Sequence, residues 1–203
     1  KSELLPLAAT LAPEFSIFLF DQRYFGTSEG NHTTLGIKEK NDLMRAIDWL
    51  NQKGYFCIGV FGHSFGGAVG MLAAAEDSRI QAIVSYGAFS DIPSAGLERY
   101  QSFGMVRYPI INAMFFALRL WIGDLEKNSP VNAAQKIRAP LLLAHGTDDK
   151  EVFFEHAQRL QHALKKNRNV EYYFPEKTGH AEFPEALKKK TKEFFIKHLA
   201  EIP

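Results

Sequence analysis

Cysteine is almost absent: Cys57 is the only one in 203 residues. A single thiol cannot close an internal disulfide. The fold therefore needs no oxidising compartment, and a cytoplasmic setting is the expectation. Long uninterrupted apolar runs are also missing. The longest, near Ile110 to Ile122, is broken by Asn112 and Arg119. It reads as too short and too polar to span a bilayer. No signal-peptide pattern is visible. The first residue is Lys1 rather than Met, so the chain is expected to have been cut or processed at its start. Excess charge is lacking too. A formal net charge of +1 gives no electrostatic case for nucleic acid or for acidic membranes as partners. The basic run Lys188-Lys189-Lys190 reads as a solvated helix face. Histidines at metal-ligand spacing with a nearby carboxylate, the lysine of a phosphate-cradling loop and a dinucleotide fingerprint are all missing. Neither a metal nor an organic cofactor is expected.

What is present is globular. Apolar residues make up 46% and charged residues 23%, in a chain the length of one ordinary domain, residues 1–203. Short apolar runs alternate with helical stretches, the pattern of a mostly parallel sheet flanked by helices. Five runs read as strands: Ser16 to Phe20, Phe56 to Phe61, Ile80 to Tyr86, Leu141 to Ala144 and Val170 to Phe174. Helical spacing is expected over about Ser2 to Leu11, Leu35 to Lys53, from Gly67 onward, Phe154 to Lys166 and Pro184 to Leu199. The stretch from about 92 to 134 breaks the alternation. It is rich in aromatic residues and reads as a helical insertion after the third strand before it.

The chemistry concentrates where strands end. Gly62-His63-Ser64-Phe65-Gly66-Gly67 follows an apolar strand and precedes an alanine-rich helix. A serine on so tight a strand-to-helix turn has strained backbone angles, so residues two positions away must lack side chains. The turn lifts the hydroxyl above the sheet, next to a helix N-terminus that favours developing negative charge. A serine hydroxyl needs a base to act as a nucleophile. His180 fits best, on a loop after the last strand, whereas the other six histidines lie on helices, inside the turn, at a strand end or in a polar loop. A base needs an orienting carboxylate. Asp148, Asp149 and Asp91 all follow strands and remain alternatives on position alone. Cys57, in a strand, reads as a packed and inert thiol.

With these residues in view, the chain resembles the α/β-hydrolase family over nearly its whole length. Gly62-His63-Ser64-Phe65-Gly66 is similar to the family's nucleophile elbow. Asp21-Gln22-Arg23-Tyr24-Phe25-Gly26-Thr27-Ser28 resembles its Asp-x-Arg-Gly-x-Gly-x-Ser loop, with Tyr24 in place of the glycine. His145-Gly146-Thr147-Asp148-Asp149-Lys150-Glu151-Val152 resembles its acid loop, and Gly179-His180 its histidine loop. Within the family the chain most resembles small esterases and prolyl-oligopeptidase-like catalytic domains. The resemblance selects Asp149 as the acid and implies a Ser64-His180-Asp149 triad, with the Phe65 N–H as an oxyanion donor. It implies hydrolysis of a small apolar acyl or aryl ester through an acyl-enzyme. A peptidase, thioesterase, acyltransferase or non-catalytic binding protein on this fold are the rival readings. The 92–134 insertion would be a cap whose Phe103, Tyr108, Phe115 and Trp121 line the substrate pocket. Family members usually carry further strands and a second oxyanion loop ahead of this point, so upstream sequence is expected to be absent from the chain.

Overall fold

The computed structural model describes residues 2–199. Four parallel strands, β1 (Ile58–His63), β2 (Ile80–Tyr86), β3 (Leu141–Ala144) and β4 (Val170–Tyr173), lie side by side in chain order. Parallel neighbours need crossovers, and helices supply them. Helix α1 (Leu5–Leu11) and helix α2 (Glu39–Gln52) precede the sheet. Helix α3 (Phe65–Ala74) links β1 to β2. Helices α4 (Ile92–Arg99), α5 (Arg107–Ile122) and α6 (Pro130–Ala134) form the insertion between β2 and β3. Helix α7 (Phe154–Ala163) links β3 to β4, and α8 (Glu185–Leu199) follows.

Period-two alternation sorts the strand side chains into two cores. Ile83, Leu141 and Leu143 face a cluster with Ala68, Met71 and Leu160 from α3 and α7. Ala82, Val84 and Leu142 face the opposite layer, against Leu7 and Leu11 of α1 and Phe194 and Phe195 of α8. The central leucines have no solvent exposure. Each such side chain contributes roughly 1.5–3 kcal/mol over an exposed one.

Three expectations are corrected. Residues 16–20 form no strand. A strand needs a neighbour to take its backbone hydrogen bonds, and among the described residues the sheet begins at β1. The segment's aromatic content is used differently: Phe18 stacks on Trp49 of α2 at 5.2 Å and on Phe20 at 6.0 Å. The helix expected from Leu35 begins at Glu39, because Leu35 and Gly36 have left-handed φ values of 57° and 102°. The Glu39 carboxylate folds back over this turn and accepts from the backbone N–H groups of Thr34 and Gly36 and from the Thr34 hydroxyl. Cys57 lies just before β1 and is exposed rather than packed.

The parallel arrangement brings every carboxyl-terminal strand end to one edge. His63, Tyr86, Ala144 and Tyr173 form its last paired row. The residues that follow are tied across it: Ser64 N–H donates to the Tyr86 carbonyl at 2.8 Å, and His145 N–H donates to the Tyr173 carbonyl at 3.1 Å.

Candidate active site

Ser64 is the first residue past β1, at φ 53° and ψ −119°. That left-handed backbone costs a non-glycine residue roughly 1–3 kcal/mol. The surroundings hold it in place. Besides its own N–H bond to Tyr86, its carbonyl accepts from the Ala68 N–H at 3.1 Å, starting α3. A Cβ at position 62 would collide with the Gly66 carbonyl group, so glycine is required where the strand doubles back over the helix. Phe65 is the first residue of α3. Its N–H belongs to the first turn, which has no acceptor four residues back within the helix.

The histidine loop meets this turn from β4. His180 Nε2 lies 2.8 Å from Ser64 Oγ, and His180 Nδ1 lies 2.6 Å from Asp149 Oδ2. With Nδ1–H donating to the carboxylate, the Nε2 lone pair faces the serine hydroxyl. Three side chains far apart in sequence thus form one continuous hydrogen-bonded chain.

Asp149 is buried, and all of its acceptor capacity is directed. Oδ1 accepts from the N–H groups of Glu151 and Val152, both at 2.9 Å, while Oδ2 receives His180 and lies 3.3 Å from His145 Nε2. Burial alone would raise the carboxyl pKa. The His145 and His180 hydrogen bonds and the Val152 N–H outweigh it, holding Asp149 ionised far below the usual carboxylate range. On His180, burial opposes protonation, but the Asp149 hydrogen bond and charge win, and its pKa is raised above 6.5.

The acid and histidine loops support one another. A Cβ at position 146 would strike the Thr178 carbonyl group, so glycine lets the two backbones close, and Asp148 N–H donates to that carbonyl at 3.1 Å. Asp148 itself is exposed, 3.9 Å from Lys150. Asp91 caps α4, accepting from the Ser94 N–H at 2.8 Å. Of the three candidate acids, only Asp149 is bonded to His180.

Sequence reasoning missed the groups that hold the histidine loop. His63 Nε2 donates to the His180 carbonyl at 2.8 Å, and the Tyr86 hydroxyl donates to the Glu182 carbonyl at 2.6 Å. Desolvation lowers the His63 pKa, which keeps this ring neutral beside His180. Both residues end their strands, and that position was the available signal. The aromatic rings packed on Phe65 were also missed: its ring lies 5.8 Å from that of Phe25 and 6.4 Å from that of Phe89.

The four residues expected to line the cap pocket are placed by their own contacts. Phe103 packs edge-on to Tyr100, Tyr108 lies under Arg107, Phe115 packs towards Gly96 of α4, and Trp121 packs against the His32 ring at 4.8 Å. A hollow of about 540 Å³ lies between Asp21, Arg23, Asn31, His32 and Asp42 and has no triad residue in its wall. The hydrogen-bond geometry, rather than this hollow, locates the chemistry.

Residues 28–201 match the prolyl oligopeptidase family. The chain belongs to that family. Its relatives include a Bacillus subtilis protein described as the uncharacterized peptidase YtmA, 30% identical over 73% of this chain and 61% of YtmA. The uncharacterized protein YqkD of the same organism is 27% identical over 82% of this chain and 56% of YqkD. The chain thus spans about three-fifths of the length of these curated relatives. Among solved structures, the Pyrococcus furiosus esterase Pf2001 superimposes with a TM-score of 0.77 at 26% identity, covering 97% of this chain and 76% of the esterase. The Pyrococcus horikoshii acylaminoacyl peptidase shares the fold, at a TM-score of 0.63 and 21% identity, over 83% of this chain and 29% of the peptidase. The prolyl oligopeptidase family member described here is therefore an α/β-hydrolase of the esterase and peptidase kind.

Proposed function

We propose that this protein hydrolyses carboxylic esters with small apolar acyl or aryl groups through an acyl-enzyme on Ser64. The observation that carries the reading is the 2.8 Å approach of Ser64 Oγ to His180 Nε2, with Asp149 on the far side of the ring. As Oγ attacks the ester carbonyl, Nε2 takes its proton, and Asp149 stabilises the imidazolium without itself becoming protonated. The Phe65 N–H, at the start of α3, receives the developing oxyanion. The imidazolium then protonates the departing alkoxide, and water repeats the attack on the acyl-enzyme with His180 again as base. No step calls on a metal or organic cofactor. The likeness to the Pf2001 esterase favours an ester substrate.

The peptidase reading has its own support in the family and in the description of YtmA. A panel of one acyl group presented as an aryl ester, a thioester and an anilide separates the readings. The ester reading predicts that kcat/KM for the ester exceeds that for the anilide by about 100-fold or more, a margin of at least 2.7 kcal/mol in transition-state stabilisation. An anilide of that acyl group turned over as well as the ester would establish the peptidase instead.

The raised His180 pKa sets the acid limb. Only the neutral ring can accept the serine proton, so activity is lost as pH falls through its folded-state pKa. The kcat/KM profile is expected to break above pH 6.5, the ring's ordinary value, and to fall tenfold per pH unit below the break. A break below pH 6.5 would contradict the assigned Asp149 contact.

A further inference from the structure

Helix α5 and the 3-10 turn ahead of it (Gln101–Val106) are unlike the other apolar helices of the fold. By length and composition the stretch Gln101–Ile122 could cross a membrane, yet only 6% of its apolar 18-residue window is buried. A helix of a globular domain normally buries one apolar stripe. In α5 only Ile111 is buried, while Leu120, Phe116 and Trp121 are 76%, 67% and 63% exposed, and Met105 of the preceding turn is 84% exposed. A contiguous apolar surface of this kind marks a contact with something else.

Two features argue against a span. The segment is broken at Gly104, at φ 56° and ψ −139°, so the continuous helix is the 16 residues of α5. At 1.5 Å per residue that is about 24 Å, shorter than a hydrocarbon core of about 30 Å. The segment also leaves from β2 and returns to β3, which are paired neighbours in one sheet. Both of its ends are therefore on the same side of any bilayer.

Charge and ring placement narrow the partner. Residues 100–122 contain Arg107 and Arg119 and no Asp or Glu, so the overall balance of +1 hides a stretch that is locally basic. Arg119 is 66% exposed, although it reaches Asp124 just beyond the stretch at 3.3 Å. Tyr100 and Tyr108 stand near one end and Trp121 at the other, amphipathic rings of the type that settle at a membrane–water boundary. A two-fold contact with a second copy would set the same arginine-bearing patch against itself.

We propose that the α5 face is a docking surface for an anionic lipid bilayer, lying in the interface with its apolar side chains among the acyl chains. It does not depend on which acyl compound Ser64 attacks. The test is flotation of the purified protein with vesicles of phosphatidylcholine containing about one third phosphatidylglycerol, against pure phosphatidylcholine. The anionic vesicles are expected to carry the protein at least about tenfold better, with the difference lost in 1 M salt, where the Debye length falls to about 3 Å. The double substitution Phe116→Glu and Leu120→Glu is expected to reduce anionic-vesicle binding by at least about tenfold, leaving turnover of a water-soluble ester unchanged. Arg119→Gln, a milder change at an exposed position, is expected to weaken the preference for anionic vesicles. Failure to float, equal binding to neutral vesicles, or parental binding by the double variant would overturn the proposal. So would a dimer seen by light scattering that the same double substitution dissolves, without vesicle binding.

Discussion

Ser64→Ala is expected to lower kcat for an aryl ester by on the order of 10⁶, with little change in stability. The size follows from the chemistry. Removing Oγ leaves no atom to form the acyl-enzyme, and any remaining turnover must come from water held in the same cleft. His180 and Asp149 would still be bonded to each other, but their proton acceptor would face an empty position. Stability should not suffer, because position 64 is held by backbone bonds to Tyr86 and Ala68 rather than by its hydroxyl. The left-handed φ of 53° persists with alanine, at a similar cost. Steady-state kinetics with a thermal melt checks both halves. Loss of activity accompanied by a large fall in melting temperature would instead make Ser64 structural.

Asp149→Asn should cost about 10⁴ in kcat, less than loss of the nucleophile but by a different route. Oδ1 accepts from two backbone N–H groups, so the amide would set its oxygen there and turn its NH₂ towards His180. The amide would then donate to Nδ1, placing the ring proton on Nε2, where it faces Ser64 as a donor and cannot accept. The pH profile supplies an independent sign. Asp149 raises the His180 pKa against burial, which lowers it. With the charge gone, burial remains, and the acid limb of the residual activity should move to lower pH. A variant that loses activity without that shift would mean that the carboxylate acts only through the loop it braces.

Much of this site was legible in the sequence because its constraints are local. Gly62 must clear the Gly66 carbonyl, so the elbow shows itself within five residues. Gly146 must clear the Thr178 carbonyl, so the acid loop carries its own glycine. Strand ends bounded by such motifs also place Asp149 and His180 on the same edge. What was not legible depends on neighbours. Residues 16–20 are as strand-like in composition as β3, but a ladder is a property of two segments. The aromatic content of the 92–134 insertion predicted a cap, yet composition does not say which side of α5 is covered, and Phe116 and Leu120 project outward. The rings packed on Phe65 came from Phe25 and Phe89, both in loops, where no periodicity marks them. In sequence His63 reads only as part of the turn, and its bond to the His180 carbonyl becomes visible only when the two loops are placed together.

The proposed chemistry passes through a covalent intermediate at one hydroxyl. Acid-quenching the protein during turnover of an aryl ester, followed by peptide mass mapping, observes it directly. A single acyl mass on the peptide containing Ser64, absent when His180 is replaced by alanine, is the expected result. Steady turnover with that peptide unmodified, or the acyl group found on another residue, would contradict it.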